Sequence, residues 1–274
     1  MLRLLNDFDR NIVFEYLNRH EEEAAFLIGY AVQFGINNSS NMLRCGDYFG
    51  YFEGDSLRGI IAFYNLGSCI PHYETLRAIP YFYQLMAMRR FSMLLGADRL
   101  IRPLFESVRH CKTLREFEEC SYCVNSAFKP FELEGAEFHD VAGDAGIRVL
   151  NFVRNAYLYG FGAGRTIEDT KLLLSQKGDE EDFILLSLNN KLAAQACVQT
   201  FTDSTSQIGA VYTVLEERGK GCAKAVVSEL CRRIFEKGKL PTLMVNKLNT
   251  PALKAYKALG FEERDNYLII RLYG

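Results

Sequence analysis

Apolar side chains recur with helical spacing twice near the start of the chain. In residues 9–20, Ile12, Val13, Tyr16 and Leu17 share one face. Residues 21–35 open with three acids, which suit the positive end of a helix dipole, and close at Gly35. The pattern then changes to short apolar runs. "DYFGYFEGDSLRGIIAFYN" reads as two strands around a turn at "EGDS", and "SYCVNSAF" reads as another strand. Between them, "MRRFSMLLGADRLIRPLFESVRH" alternates helix and breaker signals. Residues 141–149, "VAGDAGIRV", are glycine-rich and polar, and a domain boundary is placed there, giving domains 1–142 and 147–274.

The second half restarts with a helix carrying Val149, Phe152, Val153 and Tyr157 on one face. Thr166 with Asp169 three residues on forms a capping box, so the next helix starts at Ile167. "DFILLSLNNKLAAQACVQTF" predicts a hairpin turning near "NN", and "QIGAVYTVL" a further strand. A helix follows, with Ala223, Val226, Val227, Leu230 and Ile234 inward, Lys224, Ser228, Glu229, Arg232 and Arg233 outward, and Gly238 as its C′ stop. The half therefore reads helix, helix, three strands, glycine loop, helix, strand, helix, strand, an α/β (α+β) sheet with helices packed on it.

Directly before the long helix stands "ERGKGCAK". The first turn of a helix has unpaired N–H groups and the positive end of the dipole, glycines admit a ligand close to that backbone, and Arg218 and Lys220 add charge. This is an anion cradle suited to phosphate. It is not a P-loop, because no Gly-Lys-Ser/Thr follows at the required spacing. It is not a dinucleotide fingerprint either, because Lys224 occupies the place of the third glycine or alanine.

The pattern Arg218-x-x-Gly221-x-Ala223, after a strand and before a helix, resembles the acetyl-CoA pyrophosphate loop of the GNAT N-acyltransferase superfamily. "PTLMVNKLNTPALKAYKALGFEE" is similar to the strand, loop and helix that follow it there, through Asn249, Ala252, Tyr256, Leu259, Gly260 and Phe261. "GAVYTVLEERGKG" and "PTLMVN" look nearest to the branch with glycine N-acyltransferase-like domains. The resemblance covers the last 70 residues or so best and reaches back by element order to about residue 147. The first half, with a helix, helix, strand-pair start and no glycine-rich anion loop, is read as a second α/β domain, a degenerate GNAT-like half.

The resemblance implies acetyl-CoA as cofactor, an amine-bearing acceptor (a small molecule or a protein), and direct attack of the amine on the thioester. Val211, Tyr212 and Thr213 would line the acetyl and pantetheine arm. Arg218, Gly219, Lys220, Gly221, Cys222 and Ala223 would cradle the pyrophosphate. Asn249 would bond the cofactor or hold its own loop, with Thr250 capping the next helix and Pro251 at its first position. Tyr256 would protonate the departing thiolate. The general base is open; Glu216, Glu217 and Asp203 fit solvated or turn roles. "YGFGAGRT" would border the acceptor site. A non-catalytic acyl-CoA-binding or sensing protein is the alternative, and an aminoacyl-tRNA-dependent transferase a third, disfavoured by the intact loop and the lack of basic charge.

The chain has 274 residues, 49% of them hydrophobic, and a net charge of −2, which fits a folded protein and argues against nucleic acid as the main partner. No apolar run is long enough for a membrane span, and the first twenty residues carry acids inside their apolar pattern, unlike a signal peptide. Eight cysteines, several in apolar runs, are expected to be reduced in a cytoplasmic protein. Cys120 and Cys123 have zinc-ligand spacing with His110 and Cys111 nearby, but a second paired ligand set is missing and no metal site is assigned. A homodimer stays open.

Overall fold

The computed structural model describes residues 1–141, 145–178 and 180–273. The chain divides into two compact units, Met1–Ser121 together with Asp265–Gly274, and Tyr122–Arg264.

The first unit runs β1 (Leu2–Leu4), α1 (Arg10–Asn18), α2 (Glu21–Phe34), β2 (Gly46–Glu53), β3 (Ser56–Tyr64), β4 (Ser68–Tyr73), α3 (Ile79–Met88), β5 (Met93–Ala97), α4 (Asp98–Val108) and most of β6 (Leu114–Asn125). The expected helix pair forms, with α2 ending at Gly35, and the expected strand pair turns at Gly54-Asp55. "MRRFSMLLGADRLIRPLFESVRH" resolves into β5 and α4, with Pro103 inside the helix. Its sheet is ordered β1-β2-β3-β4-β5, and β5 then pairs antiparallel with Tyr267–Arg271 of the strand that ends the described chain.

The second unit continues with β7 (Ala136–Asp140), α5 (Ile147–Phe161), α6 (Ile167–Ser175), β8 (Phe183–Leu188), β9 (Lys191–Phe201), β10 (Thr205–Thr213), α7 (Cys222–Glu236), β11 (Leu240–Asn246), α8 (Thr250–Ala258) and the start of β12 (Phe261–Leu272). From α5 onward this is the element order read from the sequence. Its strands lie in the order β11-β10-β9-β8-β7. Ahead of residue 141, β7 pairs with β8, from Ala136 opposite Leu188 to Asp140 opposite Ile184. Residues 142–144 of the stretch 141–149, where the boundary expectation falls, lie outside the described residues. The compact units change over after Ser121 and after Arg264.

Period-two alternation buries both faces of the second sheet. Ile184 and Leu186 pack with Val226, Val227, Leu230, Cys231 and Ile234 of α7, while Phe183 and Leu185 pack with Leu150 and Val153 of α5 and Leu174 of α6. Each fully buried branched side chain contributes roughly 1.5–3 kcal/mol. Thr166 and Asp169 cap α6 reciprocally, Thr166 Oγ1 accepting from the Asp169 N–H at 3.0 Å. Thr166→Ala is therefore expected to cost about 1 kcal/mol in chemical denaturation. An unchanged midpoint would mean that the cap is satisfied by water.

The outward face of α7 departs from expectation at Ser228, which is buried. Its Oγ accepts from the Phe131 N–H at 2.9 Å, and Phe128 stacks on Phe235. The chain between β6 and β7 lies along this face of the helix. Inward, Cys222 and Ala225 are buried where the pattern placed Ala223, which is half-buried.

Candidate active site

β10 and β11 are parallel neighbours only from Thr205 opposite Leu240 to Ile208 opposite Leu243. β10 then runs on to Thr213 and β11 to Asn246, outside that register. On its other side β10 carries an irregularity between Gly209 and Tyr212 against β9, and Ala210 sits at φ 51°. A left-handed alanine is strained, and such bulges re-aim the following residues. The bulge is propped from below by Gln195 of β9, fully buried, whose Nε2 donates to the Ala210 carbonyl at 3.2 Å. Past the bulge come Val211 and Tyr212, half-buried, and Thr213, whose buried Oγ1 has no hydrogen-bond partner within the chain. Beyond Ile208 and Leu243 the two strands are thus no longer paired with each other.

The glycine loop stands at the end of that strand. Arg218 Nε donates to the Thr213 carbonyl at 3.2 Å, tying loop to strand. Lys220 pairs with Glu217 at 3.0 Å. Gly219 and Gly221 have φ 78° and 94°, and no side chain caps the first turn of α7. A 15-residue helix thus presents its N-terminal N–H groups behind two left-handed glycines. A Cβ on Gly219 would meet no protein atom within 4 Å, whereas one on Gly221 would stand 3.2 Å from the Phe131 ring. Glycine at 221 is therefore required by packing and by φ, on top of any ligand. Lys224 Nζ lies 3.6 Å from the centroid of the same ring.

Cys222 begins α7 and is buried in the core. Burial first, and then the Glu217 charge, raise its pKa, so the thiol stays protonated and is not the activated thiol that its place at a helix start suggests. Asn249 caps α8, its side-chain oxygen accepting from the Ala252 N–H at 3.2 Å. The cap is Asn249 and not Thr250, which is already the first helical residue, so Pro251 stands at the second position and not the first. Tyr256 is buried on α8 in the same apolar cluster as Cys222 and Val245, with Val211 against it, and its ring meets Phe261 at 6.0 Å. Burial, and secondarily Cys123, push its pKa up, so the phenol holds its proton but is a weaker acid than a free tyrosine.

In "YGFGAGRT", Gly162 is the left-handed cap of α5, and Gly160 makes room for Tyr212: a Cβ there would stand 2.8 Å from its ring. Arg165 lies over the Tyr157 ring at 5.0 Å with its Nε buried and unpartnered. Gln195 and Phe131 are the neighbours of the site that sequence reasoning misses. A lone glutamine inside the apolar run "AAQACV" is the one signal that marks the first. His110, Cys111, Cys120 and Cys123 do not converge as ligands among the described residues. Cys120 and Cys123 are an odd number of positions apart on β6 and so point to opposite faces.

Residues 186–270 match the family model described as FR47-like protein. Solved structures extend the likeness to the whole chain. A Drosophila protein matches at 13% identity and TM-score 0.74, over 99% of this chain and 98% of its own. The tandem GNAT protein from the clavulanic acid biosynthesis pathway matches at 12% and 0.60, over 98% and 97%. The chain has the GNAT fold. A GCN5-related N-acetyltransferase from Sphaerobacter thermophilus matches GNAT elements at 14% and 0.62, over 99% and 94% of the two chains. No curated protein is similar enough in sequence to match.

As in the second unit, the first has two helices, three strands, helix, strand, helix, strand. Its parallel pair β4/β5 is likewise short, ending at Cys69 opposite Leu94. There the details differ from those of the GNAT loop. Thr75 caps the turn before α3, accepting from the Arg77 N–H at 3.3 Å, and no glycine precedes the helix. Tyr73 reaches from β4 to donate to the Leu100 carbonyl at 2.8 Å.

Proposed function

We propose that the second unit transfers an acyl group, acetyl in the first place, from coenzyme A to an amine. The observation that carries this reading is the parted strand pair β10/β11 opening in front of the uncapped, glycine-fronted start of α7. Pyrophosphate would sit on the N–H groups of residues 219–223 with Arg218 and Lys220 beside it. The pantetheine arm would lie along Val211, Tyr212 and Thr213. Bulged backbone at residues 210–211 would face the thioester carbonyl, where N–H donors stabilise the developing oxyanion. The amine attacks the carbonyl carbon, the carbon–sulfur bond breaks, Tyr256 delivers a proton to the sulfur, and the proton lost by the nitrogen passes through water and restores the phenol. The acceptor would enter by residues 159–166.

Sequence similarity in "GAVYTVLEERGKG" supports the glycine N-acyltransferase-like branch as the nearest one. No disulfide joins any of the eight cysteines among the described residues, which suits a reducing, cytoplasmic setting. Among the described residues no helix is long and apolar enough to cross a membrane. The test is calorimetry of the full chain with acetyl-CoA, followed by detection of free coenzyme A thiol with an amine panel. Saturable binding with amine-dependent thiol release is the expected result. Binding without release from any amine would favour an acyl-CoA-binding protein, and no binding would remove the reading.

A further inference from the structure

The first unit holds a polar cluster that acyl transfer leaves unused. Tyr16 comes from α1, His20 from the turn into α2, Glu23 from the first turn of α2, and His72 from β4, with Glu74 just beyond it. His72 and Glu74 thus stand where β4 has parted from β5, beside the gap that Tyr73 crosses. The rings of His20 and His72 lie 4.4 Å apart. One donor atom each from His20, Glu23 and His72 lie within 4.8 Å of one another, and among the described residues no other three His, Cys, Asp or Glu side chains do so.

We propose that His20, Glu23 and His72 bind a divalent first-row transition metal ion, zinc in the first place, with a fourth position open to water. Two imidazoles and one carboxylate with an open position are a donor set that zinc accepts. The outer partners that such ligands need are in place. His20 Nε2 lies 2.7 Å from Glu74 Oε1, so with that N–H given to the carboxylate, Nδ1 keeps its lone pair. His72 Nδ1 lies 2.7 Å from the Tyr16 hydroxyl, which in turn lies 3.4 Å from the Arg58 carbonyl. When His72 Nδ1–H donates to the phenol oxygen and the phenol donates to the carbonyl, the Nε2 lone pair faces Glu23 Oε2 at 3.2 Å. Two lone-pair donors at that distance repel unless a cation lies between them. Without the ion the other tautomer puts a proton there, and the ion takes that proton's place.

Glu23 is steadied from outside by Arg99, whose Nε donates to Oε1 at 2.7 Å and whose Nη2 contacts Oε2. Arg99 pairs with Glu23, and Arg58 and Arg19 pair with Glu74, so each cation at the rim is already engaged by a carboxylate of the cluster. Glu23 and Glu74 supply two negative charges inside that rim.

The full chain, stripped with a chelator, should be titrated with Zn²⁺ against a chromophoric competitor, and with Co²⁺ followed by visible absorption. One equivalent of metal per chain is expected, with the absorption of a low-coordinate nitrogen and oxygen site. His20→Gln and Glu23→Gln, both partly exposed and so unlike His72 safe for folding, should each abolish the stoichiometric site. Glu74→Gln should weaken it by about 10–100-fold, the usual effect of losing an outer-shell partner. Cys120→Ser and Cys123→Ser should bind as the parent does. No stoichiometric uptake by the folded, stripped chain, or an equivalent of zinc that survives both His20→Gln and Glu23→Gln, would overturn the proposal.

Discussion

Tyr256→Phe is expected to slow acyl transfer by about 10²-fold, the scale of a lost general acid, while the acetyl-CoA dissociation constant barely moves. The ring's packing against Phe261 and its neighbours stays, and so do the pyrophosphate contacts; only the hydroxyl goes. The deficit should shrink with a thioester whose thiol is more acidic, since that leaving group needs less proton donation. The pH dependence has a definite sign. Burial raises the phenol's pKa, so Tyr256 stays protonated beyond the ordinary tyrosine value of about 10, and the parent rate should not fall through its ionisation below that pH. A variant that turns over at the parent rate, with chemistry shown to be limiting, would assign the acid to water or another group.

Gly219 and Gly221 should part company when substituted, although both are left-handed glycines of one loop. Gly221→Val is expected to destabilise the fold by about 2–5 kcal/mol, from backbone strain of roughly 1–2 and crowding against Phe131 of roughly 1–3 kcal/mol. Gly219→Ala carries only the strain, because its Cβ meets no protein atom, yet that methyl occupies the approach to the helix start. It should stay folded and lose tenfold or more in acetyl-CoA affinity, about 1.4 kcal/mol. Melting curves and calorimetry on the two variants separate the effects. Unchanged affinity in Gly219→Ala would place the pyrophosphate elsewhere.

Local signals carried the second unit well. The capping box at Thr166 and Asp169, the paired asparagines at φ 51° and 62°, and Gly238 after α7 are each short-range chemistry that tertiary packing leaves alone. The same chemistry misled at Asn249, where two polar residues in a row each suit a cap and the structure uses the first. β4 escaped notice for a different reason. All six of its residues are buried, so it shows no alternation, and it contains Pro71. That proline lies past the last pairing with β5, where a missing N–H costs no bond to that neighbour. The glycine loop was legible because its backbone needs are written in residue types. Gln195 and Phe131 were not, since their roles depend on which segment lies across them, and sequence spacing does not encode that.

The two units also trade strands. β6 begins in the first and finishes in the second, while β12 does the reverse, so that Tyr267–Arg271 pairs with β5. During synthesis β5 leaves the ribosome long before its partner exists. At about 5–20 residues per second, the wait is on the order of ten seconds. Throughout it the first unit carries an unsatisfied sheet edge, a template for pairing with another nascent chain. Two such chains on one message could satisfy each other's β5 with the wrong copy of β12, an entangled product that dilution after the fact would not undo.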